Sequence, residues 1–219
     1  LVSTCAAASD RRGISLFDLT GTKIVIDNVH LSGNLEYALN VSGANAPTGL
    51  NVIINESEIS GWAAINSYSS DSQFTITNST LNGTNDKAYD AEGWNNFATI
   101  TFNDIMGNPQ GKAQNNTVVF ENSTVNAYAT TGNKQFLVGL TYGAGNNTMA
   151  FTNCTLNPVE GQTDLYCTEG ANFGNTIMVN GAVVISTDII NATQEFTYNT
   201  IQAAIDGADA GDTIQIAAG

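Results

Sequence analysis

Hydrophobic and polar residues alternate in short segments along this chain, and the segments end in a common pattern, here called the repeat phrase. The phrase begins with two apolar residues that flank one other residue. After a spacer come, in order, an Asn or acidic residue, a small residue, a polar residue and an aliphatic residue. Strong copies are IVIDNVHLSG (24–33), VIINESEISG (52–61), FTITNSTLNG (74–83), VVFENSTVNA (118–127) and MAFTNCTLNP (149–158). Weaker copies are ITFNDIMG (100–107) and TIMVNGAV (176–183). A repeat at this period is typical of stacked architectures.

Each copy predicts a strand, a corner and a second strand. Alternation at period two places the apolar side chains of the first strand on one face. The Asn or acidic residue, here called the pivot, predicts the corner, because Asn adopts the left-handed backbone conformation more easily than most residues. After the pivot, the small residue and the aliphatic residue point inward again. The pivots are Asn28, Glu56, Asn78, Asp104, Asn122, Asn153 and Asn180.

Stacking of these units predicts a parallel β-helix. Like residues then lie above like residues, which gives an Asn side-chain ladder and a continuous aliphatic core. A second strand lies between phrases, in EYALNVSG (36–43), WAAINSY (62–68), QFLVGLTYG (135–143) and DLYCTEG (164–170). We therefore expect an all-β solenoid of about seven coils, right-handed because parallel crossovers generally are. A β-sandwich or a propeller also has many short strands but does not need the same positions to repeat.

The C-terminal segment predicts a short amphipathic helix followed by a strand that begins at Ile214 and Ile216. Its apolar helix face consists of Ile201, Ala204, Ile205 and Ala208. Such a helix covers the open end of a β-helix core. We expect residues 1–192 to form a β-helix with a truncated N-terminus. Residues 193–219 then form a linker, a cap helix and the first strand of a second β-helix.

Charge excludes several classes of partner. The chain has 20 acidic and 6 basic residues and a net charge of −14. Nucleic acids, anionic lipids and polyanionic glycans would be repelled, and no apolar run is long enough to predict a membrane span. Cys5, Cys154 and Cys167 match no metal-binding spacing. Cys154 takes the inward small-residue position of its phrase, and a disulfide between Cys154 and Cys167 stays open.

Two parts of the chain resemble a known superfamily. TIQAAIDGADAGDTIQIAAG (200–219) resembles the opening motif of pectate-lyase-like right-handed β-helix proteins. FTITNSTLNG and MAFTNCTLNP are similar to coils of large bacterial surface proteins built from that fold. The resemblance implies the fold and says little about activity, because the superfamily contains lyases, hydrolases, epimerases, adhesins and spike proteins.

No catalytic residue is assigned from the sequence. The resemblance implies that a lyase would place a basic residue beside a calcium-binding acidic cluster, and no such cluster adjoins Arg11 and Arg12. The Gly-His-Gly and Arg-Ile-Lys strings of the polygalacturonase type are absent. His30, the only histidine, takes an outward position, so we predict a solvated side chain rather than a general base. Carboxylate pairs for glycoside hydrolysis stay open, because their spacing across coils is not visible in the sequence.

The insertion NDKAYDAEG (85–93) contains a candidate calcium site. Asp86, Asp90 and Glu92 supply three carboxylates, and backbone carbonyls could complete the coordination. The alternative is a solvated acidic loop, since the string does not match an EF-hand. Calcium is the only cofactor that the sequence suggests.

Aromatic residues outside the core of the phrases suggest a carbohydrate-binding face. Exposed rings stack on sugar faces, whereas the alternative is that these rings cover the core beneath insertions. The ligand-binding candidates are Trp62, Tyr68, Tyr89 and Trp94, and Tyr128 and Tyr142 share their setting.

Asn-x-Ser/Thr sequons are frequent, and most coincide with the repeat phrase. We interpret them as a by-product of the repeat, with Asn78, Asn122 and Asn153 pointing inward or forming a corner ladder. The sequons begin at Asn40, Asn55, Asn78, Asn82, Asn115, Asn122, Asn146, Asn153 and Asn191.

Two functional classes follow from the sequence. We favour a non-catalytic structural or adhesive module of an extracellular bacterial surface protein, which binds cell-surface or host glycans and adjoins further β-helix domains of the same chain. The alternative is a fragment of a polysaccharide lyase or glycoside hydrolase of the β-helix superfamily.

Overall fold

The strands assemble into three long sheets. In the computed structural model, the described residues are 2–3, 11–33, 35–85, 96–103, 113–129, 134–163, 165–168, 174–187, 189–194, 196–198 and 201–216. The first sheet contains β1 (Val2–Ser3), β4 (His30–Gly33), β7 (Glu58–Gly61), β10 (Thr80–Asn85), β13 (Thr124–Ala129) and β16 (Thr155–Asn157). The second contains β2 (Arg12–Phe17), β5 (Tyr37–Ser42), β8 (Ala63–Ser67), β11 (Asn96–Asn103), β14 (Lys134–Thr141) and β17 (Tyr166–Cys167). The third contains β3 (Lys23–Asp27), β6 (Asn51–Asn55), β9 (Gln73–Thr77), β12 (Thr117–Glu121), β15 (Thr148–Thr152), β18 (Thr176–Val179) and β19 (Ala182–Ser186).

The chain visits the second, third and first sheets in turn, so each coil has three strands. Neighbouring coils pair in parallel, as between β9 and β12 or β11 and β14. The exception is β19, which turns back and pairs with β18 in the antiparallel direction. This arrangement confirms the parallel β-helix, while its right-handed winding stays a prediction.

Apolar columns fill the space between the sheets. On the third sheet, one column contains Ile24, Val52, Phe74, Val118, Met149 and Ile177. The next contains Ile26, Ile54, Ile76, Phe120, Phe151 and Val179. Phe120 and Phe151 stack with their ring centroids 4.5 Å apart, and Phe74 meets Phe102 of the second sheet edge-on at 5.1 Å. Burial of these columns removes apolar surface from water in every coil, which is the main stabilising contribution.

The weak phrase copy at 100–107 lies on a different face from the others. Its first residues, Ile100 to Phe102, belong to β11 of the second sheet and pair with Ile65 to Ser67. Its pivot, Asp104, lies outside the described residues. Among the described residues, the parallel strands stack in six layers on each face, whereas the number of phrase copies predicts about seven coils.

Five described pivots, from Asn28 to Asn153, form the expected corner between the third and first sheets, whereas Asn180 leads into β19, which stays in the third sheet. Their φ angles are nearly identical, between 47° at Glu56 and 51° at Asn28, Asn122 and Asn153. The side chains of these pivots are exposed, so the prediction that they point inward is wrong. The reason is geometric: a residue in the left-handed conformation turns the chain, and the next residue faces the core instead. One bond of the predicted corner ladder is present, since the backbone amide of Asn153 donates to Oδ1 of Asn180 at 3.0 Å.

The residue after the pivot forms a buried serine ladder. The backbone amides of Val29, Ser57 and Ser79 donate to the hydroxyl of the next coil's serine, each at 3.1 Å. Each serine hydroxyl in turn donates to a carbonyl two residues earlier, as Ser79 does to Thr77. The ladder therefore satisfies amides that the turn removes from regular strand pairing.

A buried asparagine ladder does exist, but it lies at the corner between the second and third sheets. The backbone amide of Ser72 donates to Oδ1 of Asn116 at 3.1 Å. In the same way, the backbone amide of Asn116 donates to Oδ1 of Asn147, and that of Asn147 to Oδ1 of Asn175, each at 3.1 Å. The Thr187 hydroxyl accepts the amide of Asn175 and ends the series. These side chains are completely or almost completely buried.

The C-terminal strands form a separate small sheet. β20 (Ile189–Asn191) pairs antiparallel with both β21 (Phe196–Tyr198) and β22 (Ile214–Ile216). The helix α1 (Ile201–Asp206) confirms the predicted helix, and β22 confirms the strand after it. On the predicted apolar face Ala204 is buried, whereas Ile201 and Ile205 are exposed. Within the described residues, no helix has the length and apolar character needed to cross a bilayer.

The asparagine ladder predicts that Asn147→Ala strongly destabilises the protein. Asn147 Oδ1 accepts bonds from the backbone amide and from Nδ2 of Asn116. Its own Nδ2 donates to Ala113 O and to Asn175 Oδ1, and the substitution removes all four bonds. Because buried groups lose their partners, we expect unfolding free energy to fall by about 3 kcal/mol. Equilibrium unfolding in guanidinium chloride measures this change in the free energy of unfolding. The matched control, Asn51→Ala on the exposed end of β6, should change it by less than about 0.5 kcal/mol; equal effects would contradict the ladder's importance.

The pivot conformation predicts that Glu56→Asn stabilises the protein. Glu56 is the one pivot among the described residues that is not Asn, and it has a φ of 47°. Since Asn adopts this conformation at lower cost, we expect a gain of about 1 kcal/mol. Glu121→Asn is the control, because it removes the same charge at the end of a regular strand. A gain no larger than that of the control would refute the conformational explanation.

Candidate binding face

The outer side of the second sheet carries a charged and aromatic cluster. Arg12 in β2 lies beside Tyr37 in β5, and its guanidinium is 4.2 Å from the centre of the Tyr37 ring. Nη1 of Arg12 is also 2.6 Å from Oε2 of Glu36. Because both charged side chains are largely buried, this ion pair is less screened by solvent than a surface pair. The cluster holds one end of the face in a defined shape.

Trp62 extends this cluster along the long axis of the β-helix. Tyr37, Trp62 and Ala63 form an apolar group separate from the main core, and the Arg11 guanidinium lies 5.7 Å from the Trp62 ring centre. Trp62 is only 9% exposed. Its ring therefore serves chiefly as a packing element at this place.

Tyr68 interacts with Asn66, one of two buried asparagines that bond to each other. Asn66 donates to Oδ1 of Asn40 at 2.8 Å, and Asn40 donates to the Ser42 hydroxyl at 2.8 Å. Burial raises the pKa of Tyr68, while the Asn66 amide and the Arg12 guanidinium act in the opposite direction. Oδ1 of Asn66 accepts no hydrogen bond from any described residue. Tyr68 itself is half-buried, so part of its ring faces solvent.

Three rings line up along the carboxyl ends of the second-sheet strands, and we call them the aromatic row: Phe17, Tyr68 and Tyr142. Phe17 is in register with Ser42, and Tyr68 is next to it in line because Val41 pairs with Ser67. Two coils beyond Tyr68 the residue in register is Thr141, which pairs with Asn103. Tyr142 follows Thr141 by one residue, with a φ of 53°. Phe17 and Tyr142 are 54% and 57% exposed.

The members of the aromatic row lie two coils apart. They are at the carboxyl ends of β2, β8 and β14, which are alternate strands of the second sheet. At the separation of paired strands, two coils correspond to about 10 Å. Small polar side chains adjoin the rings. Ser42 lies between Phe17 and Tyr68. Asn103 lies on the coil between Tyr68 and Tyr142 and is hydrogen-bonded to Thr141. Rings that offer apolar faces, with polar groups between them, can hold a ligand that has both kinds of surface.

The predicted ligand-binding residues fall into two groups. Trp62 and Tyr68 both lie on this face. Tyr89 and Trp94 lie outside the described residues, and so do the calcium candidates Asp86, Asp90 and Glu92. Their roles stay predictions. Within the described ranges, no three His, Cys, Asp or Glu side chains come together as a group that could hold a metal ion.

The remaining reactive side chains have ordinary structural settings. His30 is exposed on the first sheet, as predicted, and Nδ1 lies 2.9 Å from Oε2 of Glu58 on the neighbouring coil. Cys154 takes the small-residue position of its phrase and packs against the core. Its thiol is free, so it forms no disulfide with Cys167.

Several members of this face are not evident from the sequence. Phe17 belongs to an N-terminal segment without a phrase copy, and Tyr37 and Glu36 sit in a looser strand. The alternation in Ile14, Ser15, Leu16 and Phe17 does carry a signal, since it places Phe17 on the outward side. The pairing of Arg12 with Glu36 depends on the register of β2 against β5 and has no local signal.

Comparison of the chain with protein-family models, curated proteins and solved structures gives no match.

The Tyr37 environment predicts a loss of stability in alkali. Burial raises the pKa of Tyr37 above its ordinary value of 10.0, and repulsion by Tyr68 and Glu36 adds to the shift. The unfolded chain therefore loses this proton more easily than the folded one. The stability that the protonated Tyr37 side chain contributes is therefore complete below about pH 10 and declines as the pH rises toward the folded-state pKa.

The test compares unfolding midpoints between pH 8 and pH 11, taken as rough limits around the ordinary tyrosine pKa. We expect Tyr37→Phe to flatten the alkaline decline in stability. Tyr128→Phe controls for loss of a hydroxyl at an exposed position and should retain that decline. A decline of the same steepness in Tyr37→Phe would show that another group causes it.

Proposed function

We propose that this chain is a rod-shaped module of an extracellular surface protein and that it binds an extended, uncharged polysaccharide along the aromatic row. The observation that carries the proposal is the position of Phe17, Tyr68 and Tyr142 at the ends of alternate second-sheet strands, where Phe17 and Tyr142 are more than half exposed. We take the chain as a structural and adhesive member of the pectate-lyase-like β-helix proteins, similar to the coils of large bacterial surface proteins.

The architecture supports a load-bearing role. Neighbouring coils are joined by parallel strands on three faces, and buried polar ladders join several successive coils at two corners. Few backbone groups are therefore left for proteases to engage, and the stack resists local opening. A stiff module of this type can present a lateral face far from the surface that carries it.

The charge and the spacing suggest the class of ligand. With a net charge of −14, the protein repels polyuronates and sulfated glycans. Strand ends two coils apart are separated by about 10 Å, which matches an extended chain whose sugar faces return at the disaccharide repeat. The small polar side chains between the rings can bond to sugar hydroxyls and fix the ligand's register. We therefore expect neutral β-linked polysaccharides to bind better than acidic ones.

The test measures binding to an array of neutral and acidic polysaccharides, followed by calorimetry with the best ligand. We expect Phe17→Ala and Tyr142→Ala each to weaken binding about tenfold, because each removes one stacking face. Tyr128→Ala is the matched control: Tyr128 is 54% exposed but lies on the first sheet. The affinity of the Tyr128→Ala variant for the polysaccharide should equal that of the unsubstituted protein.

Two outcomes would overturn the proposal. The first is that no polysaccharide binds, or that Tyr128→Ala loses as much affinity as the row variants. The second is release of new reducing ends or unsaturated products from a polysaccharide, with or without calcium. That result would favour the enzyme alternative.

A further inference from the structure

The outer side of the third sheet carries an apolar column, here called the outer column. Its members alternate with the inward residues of the strands. Val25 and Val183, at its two ends, are 57% and 60% exposed, and none of its members is buried. A continuous exposed apolar surface is typical of an interaction site. The column consists of Val25, Ile53, Thr75, Val119, Ala150, Met178 and Val183.

This face carries little of the negative charge of the protein. On the part that the structure describes, its charged side chains are Lys23, Asp27 and Glu121. One positive and two negative groups give the face a charge of −1, whereas the whole chain has −14. Two copies of the chain therefore repel each other least when these faces meet. The charge distribution favours a second copy as the occupant of the face.

The size of the face sets the strength of such a contact. Six parallel strands extend over about 29 Å along the rod, and five residues extend over about 17 Å across it. The face therefore buries about 500 Å² on each copy, or about 1,000 Å² in total, which is at the low end of specific interfaces. An area of this size fits a weak, reversible dimer.

A two-fold axis parallel to the rod determines which residues meet. Rotation about this axis leaves each coil at its own height and reverses the direction of its strands. Each residue of the outer column then faces the same residue of the second copy, and the first position of a five-residue strand faces the fifth. In β3, Lys23 meets Asp27 of the second copy, and the symmetry repeats this pair. In β12, Glu121 meets Thr117, so like charges do not face each other.

A two-fold axis perpendicular to the rod gives a poorer match. When the outer columns overlap fully, this rotation places Val119, the middle member, on itself. Glu121 then faces Glu121 of the second copy, which is unfavourable because the charges are alike. Lys23 faces the strand position of Ser186, which pairs with Thr176 in the sheet, so the ion pairs with Asp27 are lost. The charges therefore favour two copies that point in the same direction.

We infer that two copies of this chain associate side by side and in the same direction through the outer columns of their third sheets. Apolar burial along the column drives the association, and the two Lys23–Asp27 ion pairs fix its orientation. We expect a dissociation constant of roughly 10–100 µM. The second sheet stays uncovered in this dimer, so the aromatic row of each copy remains open to solvent.

The first experiment measures the mass of the protein by analytical ultracentrifugation over concentrations around that dissociation constant. We expect a reversible dimer of the unsubstituted chain. Val119→Lys places two ammonium groups against each other and should leave the protein monomeric, and a nitroxide label at position 25 or 119 should separate the copies in the same way. Thr124→Lys is the matched control, because Thr124 is half-buried on the outer side of the first sheet. It should dimerise like the unsubstituted protein.

The second experiment exchanges the charges. Lys23→Asp sets Asp against Asp27, and Asp27→Lys sets Lys against Lys23, so each variant alone should dimerise about tenfold more weakly. An equal mixture of the two variants should restore association, because both ion pairs form again between unlike copies. The two positions lie about 13 Å apart along one strand, too far for an ion pair within one copy. Glu160→Lys, an exposed position outside the three sheets, repeats the charge change of Asp27→Lys and should not weaken the dimer.

Three results would contradict the inference: a mass that stays monomeric at every concentration, charge variants that dimerise as well as the unsubstituted chain, or a mixture that stays dissociated. Loss of polysaccharide binding in Val119→Lys would also contradict it, because the face would then belong to the ligand. Binding along the aromatic row is measured with second-sheet variants, so failure of the proposed function and failure of this inference are seen separately.

Discussion

The in-register stacking of identical corners is the constraint on which the rest of this molecule depends. A left-handed residue such as Asn122 turns the chain, and the following Ser123 then bonds to the amide of Ser79 on the neighbouring coil. The same logic operates at the other corner through Asn116 and Asn147. Because each coil satisfies the turn amides of its neighbour, a shift of register by one residue would leave buried donors unpaired in several places.

This constraint also positions the surface. Once the coils are in register, every outward position becomes a column along the axis, and side chains distant in sequence become neighbours. Phe17 and Tyr68 are brought into one column in this way, and Tyr142 adjoins that column as the residue after Thr141. The exposed asparagines at the corners become rows by the same mechanism. A solenoid can therefore acquire a binding or modified face by point substitutions, without altering its core.

The sequence predicts much of the fold because the core positions repeat. The inward columns, the pivots and the looser strands containing Tyr37, Ala63 and Gln135 were all visible as alternation and spacing. The asparagine ladder was assigned to the wrong corner, since side-chain direction at a turn depends on φ, which the letters do not show. Asn116 and Asn147 give little signal because each follows another asparagine within a loop-like segment.

The candidate face was less accessible to prediction. The sequence suggested aromatic residues outside the phrase core, and Tyr68 is one that reaches solvent. It could not show that Trp62 is covered, or that Arg12 joins Glu36 and Tyr37, because these contacts depend on pairing between coils. Local patterns identify which side of a strand a residue occupies, whereas a site across coils requires the register of the whole stack.

The central claim is most directly tested by spin-label distances along one outward column. Val25, Val119, Ala150 and Met178 share this column of the third sheet. With Cys5, Cys154 and Cys167 replaced by serine, labels at position 25 and at 119, 150 or 178 should be about 14, 19 and 24 Å apart. Equal increments from coil to coil are the predicted result. Distances that fail to increase in this order would contradict the stacked arrangement.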